Sequence, residues 1–229
     1  MDSWTPKTEI GKGVKSGKIT DIDQILDKGL KILEPEIIDV LMPGADIDLL
    51  LIGQSKGKFG GGQRRVFKQT QKKTNEGNKP SFATCAVIGN RNGYIGIGYG
   101  KSRETVPARE KAFRQSKLNV IKIRRGSGSW ESGGGNPDSI PFKVTGKTGS
   151  VEVTLIPAPI GTGLCIEKEC AKMLELAGIK DVWSKTKGKT KTKLNHVKAC
   201  FEALKKLMST RVKPEDKERL NIVDGKYVG

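Results

Sequence analysis

Apolar residues change their period along this chain, and the changes mark out its elements. Ile22, Ile25, Leu26, Leu30 and Leu33 keep a helical period, then Pro35 breaks the run and opens a second short helix through Leu41. Met42-Pro43-Gly44 ends it, and residues 48–52 form a short apolar run. Residues 54–65, QSKGKFGGGQRR, are a basic, glycine-rich crossing. Residues 63–70 read as a strand, 71–80 as a polar loop, and 83–88 as an apolar strand. Asn90-Arg91-Asn92-Gly93 supplies residues that tolerate positive φ, so Tyr94, Ile95, Ile97 and Tyr99 return as the second strand of a hairpin.

That returning strand carries Gly96, Gly98 and Gly100 at alternate positions, hence on one face. Three glycines on one face weaken a strand unless something approaches closely there: a helix or a nucleic-acid backbone. A helix does follow, with Ser102 or Thr105 as its cap and Pro107 in its first turns. Val106, Phe113 and Val120 recur at seven-residue steps, with Ala108 and Ala112 beside them, and are expected to form its buried face. The order β–loop–β–turn–β–helix makes 63–122 one compact unit.

A second glycine-rich stretch, RRGSGSWESGGGNPDS, precedes another α+β unit. There 141–145 and 151–157 flank a turn as a hairpin, and Ile166, Cys170, Met173, Leu174 and Ala177 mark a helix ended by Gly178. Residues 179–184 are a strand, and Leu194, Val197, Phe201, Leu204 and Met208 mark the last helix. The chain is therefore α+β. It divides into a helical extension and linker (1–58), a first domain (59–125), a glycine-rich linker (126–139), a second domain (140–212) and a charged, loosely held tail (213–229).

Charge sharpens this picture. The 229 residues carry 42 basic and 25 acidic side chains, a net +17. Residues 1–52 hold 6 basic and 10 acidic, whereas residues 53–125 hold 18 basic and 3 acidic. A segment so one-sided repels itself unless a polyanion accompanies it. Nucleic acid is the leading partner and an anionic membrane surface the other. The membrane reading is the weaker, because no apolar run approaches the ~20 residues a spanning helix needs. The N-terminus lacks a signal-peptide core, so the chain reads as cytoplasmic.

Other chemistry has little support. Gly100-Lys101-Ser102 matches the end of a Walker A loop, but the first glycine of that motif would be Ile95. The dinucleotide fingerprint fails on Lys101 or Arg103. Cys85, Cys165, Cys170 and Cys200 are scattered without a C-x-x-C, and His196 is the sole histidine. No metal, cofactor or catalytic residue is expected, and the cysteines at 165, 170 and 200 read as small buried hydrophobes.

Basic residues supply the candidate contacts. The loop QKKTNEGNKP carries Lys72, Lys73 and Lys79. In SKTKGKTKTK, Lys185, Lys187, Lys189, Lys191 and Lys193 recur at every second position. Extended, they would form a comb with teeth about 6.6 Å apart, interleaved with threonines that also donate to phosphate, unless Gly188 bends the run. Arg64, Arg65, Lys68, Arg91, Lys101, Arg103, Arg124 and Arg125, with Gly96 and Gly98 for close approach, complete the expected RNA contacts.

QRRVFKQTQKK, SFATCAVIGNRNGYIGIGYGKSRETVPAREKAF, KVTGKTGSVEVTLIPAPIGTGL, LAGIKDVWSKTKG and NHVKACFEAL, in that order, resemble the universal small-subunit ribosomal protein of the "S five" family over about residues 59–212. The acidic extension and the VTGKTGSVEVTLIPAPIGTG wording resemble its archaeal and eukaryotic branch. The resemblance implies a first domain like a double-stranded RNA-binding domain, with a three-stranded antiparallel sheet plus helix. It implies a second domain of the βαβ type shared with the GHMP sugar kinases. It further implies binding to small-subunit (16S-type) rRNA, to mRNA where it enters the subunit, and to neighbouring proteins of the S-four and S-eight families, with roles in assembly and accuracy. No membrane and no small-molecule substrate are implied. Two alternatives share parts of this pattern: a regulatory RNA-binding protein outside the ribosome, and a small-molecule kinase. The kinase would use the loop PAPIGTGL, although Cys165-Ile166-Glu167 stands where that family continues Gly-Ser-Ser.

Overall fold

The computed structural model describes residues 4–54, 64–131 and 136–227. Most of the first glycine-rich crossing, the start of the first expected strand, the 58/59 boundary and residues 132–135 lie outside them. In chain order the elements are α1 (Glu9–Lys15), α2 (Asp23–Leu26), α3 (Glu36–Leu41), β1 (Asp46–Leu50), β2 (Lys68–Thr74), β3 (Gly77–Gly89), β4 (Tyr94–Ser102), α4 (Thr105–Leu118), β5 (Val120–Lys122) and β6 (Arg124–Arg125). They continue with β7 (Val144–Thr148), β8 (Val151–Pro157), β9 (Leu164–Cys165), α5 (Lys168–Ala177), β10 (Val182–Lys187), α6 (Lys193–Ser209), α7 (Pro214–Arg219) and β11 (Val223–Asp224). The chain forms two compact units, Met1–Ile88 with Gly96–Val120, and Gly89–Ile95 with Ile121–Gly229. These cut the chain elsewhere than the sequence division, since the hairpin tip and everything after residue 120 group with the second unit.

The first sheet has five strands, in the order β1-β3-β4-β5 with β2 also pairing β3. Three were expected. The additional strands come from the apolar run after the extension, which becomes β1, and from β5 directly after the helix. Residues 71–80 are not a loop. β2 and β3 pair from Lys68↔Ala83 to Thr74↔Gly77, leaving only Asn75 and Glu76 at the tip. A ladder of backbone hydrogen bonds needs no apolar face, so polar residues that tolerate extended backbone sustain it here.

The glycine face of β4 is covered by α4. A Cβ added at Gly96 would meet Ser116 O, one at Gly98 would meet Ala112 O and Ser116 N, and one at Gly100 would meet Ala108 O and Ala112 N. Two residues along the strand advance about 6.6 Å and four along the helix about 6 Å, so the two repeats stay in step where they touch. The buried face of α4 is accordingly Ala108, Ala112 and Ser116. The seven-residue series does not define it: Val106 is 53% exposed and Phe113 half-buried. The helix takes Glu104 as its N-cap without a side-chain bond, displacing the expected Ser102 or Thr105.

In the second unit the sheet order is β7-β8-β10-β9. β9 and β10 are parallel and joined through α5, which makes a βαβ crossover, while the other pairs are antiparallel. Val144, Val151, Val153, Leu155 and Val182 are buried, as are Val197, Phe201, Leu204 and Leu207 of α6. Gly146 repeats the glycine device, since a Cβ there would meet Ala199 O and Ala203 N of α6. The tail is held rather than loose: Val223 pairs with Arg125 and Asp224 with Arg124.

Candidate nucleic-acid interface

The β2–β3 arm of the first unit carries Lys68, Lys72, Lys73 and Lys79 against the single acid Glu76. Lys72 stands opposite Lys79, and Lys68 and Lys73 lie on the same short ladder. Every residue from 68 to 80 is exposed except the half-buried Thr74, whose hydroxyl donates to Gly77 O at 2.7 Å and closes the tip. Like charges directly opposite one another destabilise an antiparallel pair. The carboxylate of Glu76, 2.9 Å from Lys79 Nζ, relieves one of them, and both groups are well exposed. Arms of this kind gain from a polyanion laid against them.

Other expected contacts on this unit are accessible. Arg65, Lys101 and Arg103 are exposed, and Arg64 is half-buried with Nη1 donating to Gly53 O at 3.3 Å. The sequence-based set omits Arg109, Lys111 and Arg114, which α4 presents to the outside because its small residues face inward. The helical period of those small residues was the signal that could have included them.

Four expected contacts are corrected. Gly96 and Gly98 are buried beneath α4, so their open backbone serves the helix and not RNA. Arg124 is 7% exposed; its Nε and Nη2 donate to the Asp224 carboxylate at 2.6 and 3.2 Å, and its Nη1 donates to Thr210 O at 2.7 Å. Arg125 is 5% exposed, with Nη2 donating to Asn92 Oδ1 at 2.6 Å and to Gly225 O at 3.1 Å. Burial pushes the Arg125 guanidinium below its ordinary pKa, partly countered by Asp138 and Tyr94. Both arginines fasten the tail inside the second unit. Arg91, at the hairpin tip, is exposed at a positive φ of 56°.

The lysine comb is broken where Gly188 adopts φ +83°. Lys185 and Lys187 lie on β10 opposite Thr154 and Glu152. Lys189 and Lys191 are exposed in the following turn, and Lys193 opens α6 as the half-buried partner of Glu167, 2.6 Å from its Oε1. The five lysines therefore do not form one row.

The phosphate-loop alternative also changes. α5 begins only at Lys168, and its N-cap is Glu167, whose side chain accepts from Glu169 N. A carboxylate of the chain's own thus occupies the anion-favouring helix end. Cys165 is exposed, contrary to expectation, while Cys170 and Cys200 are buried. A hydrogen bond with Cys200, and then burial, push the Cys170 thiol well above its ordinary pKa. His196, given no partner by the sequence, lies beside Cys170 and Glu167. Burial lowers its pKa, against the raising influence of Glu167.

Family models match both halves of the chain. Residues 63–124 match "Ribosomal protein S5, N-terminal domain" and residues 146–218 match "Ribosomal protein S5, C-terminal domain". The chain belongs to the ribosomal protein S5 family. It is 49% identical over 214 residues to the small ribosomal subunit protein uS5 of Nanoarchaeum equitans, covering 93% of this chain and 92% of that one. With uS5 of Methanocaldococcus jannaschii it shares 47% identity over 228 residues, 100% of this chain and 98% of the other. With that of Pyrobaculum calidifontis it shares 46% over 205 residues, 90% and 94% of the two chains. The first S5 match contains the arm and the β4–α4 contact, and the second contains the βαβ crossover. The acidic extension precedes both, yet the match to the Methanocaldococcus protein runs through it.

Proposed function

We propose that this protein is a structural constituent of the small ribosomal subunit in the cytoplasm, and that it grips the subunit's rRNA chiefly through the β2–β3 arm. The observation that carries the RNA reading is the pair Lys72 and Lys79, directly opposed on an exposed two-stranded arm. Double-stranded RNA is recognised mainly by shape and phosphate contacts, which a lysine-bearing arm suits. Arg65, Lys101, Arg103 and the outer face of α4 extend that basic surface on the first unit. On the second unit, Arg91, Lys185, Lys187, Lys189 and Lys191 are accessible to a phosphate backbone.

The finer assignments rest on the same reading. The β2–β3–β4–α4 order supports a first domain like a double-stranded RNA-binding domain. The β9–α5–β10 crossover supports a second domain related to the GHMP sugar kinases, here used for assembly. Membership of the family supports contacts with mRNA as it enters the subunit and with neighbours of the S-four and S-eight families, and a role in accuracy.

Co-sedimentation with small subunits in moderate salt tests the reading. The full chain should travel with the subunit, and a variant whose arm is shortened by removing residues 72–79 should be depleted from it. A chain that binds RNA yet stays at the top of the gradient would instead be a regulator working outside the ribosome.

A further inference from the structure

Three side chains scattered in the sequence meet where α5 starts and α6 passes. Donor atoms of Glu167, Cys170 and His196 all lie within 4.8 Å of one another. Cys170 and His196 are buried, at 0% and 3% exposure, and Glu167 is half-buried. Cys200, one turn after His196 on α6, is also fully buried, and its thiol is the largest influence raising the Cys170 pKa.

His196 is the informative member. Neither Nδ1 nor Nε2 has a hydrogen-bond partner among the described residues. Buried polar nitrogens are nearly always satisfied, and an orphan costs the full loss of its hydration. An imidazole beside a thiol and a carboxylate offers the donor types that bind a borderline divalent cation. Tetrahedral zinc takes nitrogen, sulfur and carboxylate oxygen at ~2.0–2.3 Å, so its ligand atoms stand roughly 3.3–3.8 Å apart. For Glu167, Cys170 and His196, closing onto an ion therefore asks only for side-chain adjustments of about 1–1.5 Å.

We propose that Glu167, Cys170, His196 and Cys200 form a structural site for one zinc-class divalent ion, joining the N-terminus of α5 to the first turns of α6. Imidazole and thiolate donors select this class over magnesium or calcium, which prefer oxygen. Charge also balances. Two thiolates and a carboxylate leave a bound dication at −1, and the ammonium of Lys193, 2.6 Å from Glu167 Oε1, brings the group to neutrality. Glu167 Oε1 accepts from Lys193 and Oε2 from Glu169 N, but each carboxylate oxygen keeps a second lone pair for a metal, and Lys193 is then an outer contact of the sort that orients ligands at metal sites. The sequence hides the site because its four ligands are spread from 167 to 200 without a Cys-x-x-Cys, and only the packing of two helices unites them.

Cobalt(II) is the probe, added to the full chain purified under a non-thiol reductant. One equivalent should give the visible bands of a tetrahedral thiolate complex, bleached by one equivalent of zinc. Cys165→Ser, which changes the exposed cysteine only, should leave the spectrum intact. Cys170→Ser and His196→Gln should weaken binding about 100-fold or more, and Cys200→Ser should reduce the thiolate-to-cobalt charge-transfer band. Should a variant fail to fold, the wild-type melting temperature decides: it should rise with zinc and fall with chelator. No cobalt spectrum at one equivalent, a melting temperature indifferent to zinc and chelator, or a spectrum unchanged in Cys170→Ser or Cys200→Ser would overturn the proposal.

Discussion

Lys72 and Lys79 are register partners across an arm that carries no apolar core of its own. Two cations held face to face weaken the free arm and strengthen its attraction for phosphate, so the same pair should act with opposite sign on stability and on binding. Replacing both with Gln should leave the melting temperature unchanged or slightly raised. RNA affinity should fall across structured RNAs alike, and the slope of log K against log salt should flatten by about 0.7–0.9 for each phosphate no longer neutralised. Filter binding at several salt concentrations measures this, and an unchanged slope would show that the arm does not meet phosphate.

Gly98 should reject even a methyl group. Its Cβ would run into the backbone of Ala112 and Ser116, neither of which can rotate away. Overpacking a tightly filled space costs about 1–3 kcal/mol. Chemical denaturation of Gly98→Ala should show a destabilisation of that size or more without any RNA present. Gly44→Ala, at a site with nothing within 4 Å, should be close to neutral. Equal stability of the two variants would remove the strand-on-helix account.

Arg124 is expected to matter for folding and not for RNA. Its side chain is 8% exposed beside that of Asp224, which retains 28%. Arg124→Ala should cost about 3 kcal/mol, at the low end for breaking a buried pair because water still reaches the carboxylate. RNA affinity per folded molecule should be unaltered. A stable Arg124→Ala protein with weakened RNA binding would restore this arginine to the interface.

Acid should release the start of the chain. The Glu34 carboxylate accepts from Trp4 Nε1 at 2.9 Å, Lys7 N at 2.8 Å and Thr8 N at 2.7 Å. Burial by itself raises its pKa, but the bonds from Thr8, Lys7 and Trp4 outweigh that and hold it below the ordinary value. A carboxylate depressed in the folded state adds stability that is complete above its unfolded pKa, about 4.3, and disappears as pH falls through the lower folded value. Trp4 fluorescence, read in a Trp130→Phe, Trp183→Phe background, should therefore change below about pH 4.3, and Glu34→Gln should abolish the step. Trp4 emission that stays constant until the whole protein unfolds would contradict this.

Local pattern determined much of this protein. The hairpin at Asn90–Gly93, the alternating glycines of β4, the break at Gly188 and the apolar series of α6 are legible because each depends on residues within a turn or two of one another. The family was legible too, since ordered segments through both units carry it. The polarity of residues 71–80 misled, because a strand pair exposed on all sides shows no hydrophobic alternation, and only pairing of Lys68–Thr74 with the start of β3 makes it a strand. Tertiary structure alone decided which basic residues face outward. Arg124 and Arg125 look like any other pair of cations until the tail returns, 100 residues later, to bring Asp224 and the Gly225 carbonyl to them. It alone also brought His196 to Cys170 and Glu167. Burial, charge pairing and ligation depend on distances through space, and spacing along a chain fixes those only within a single element.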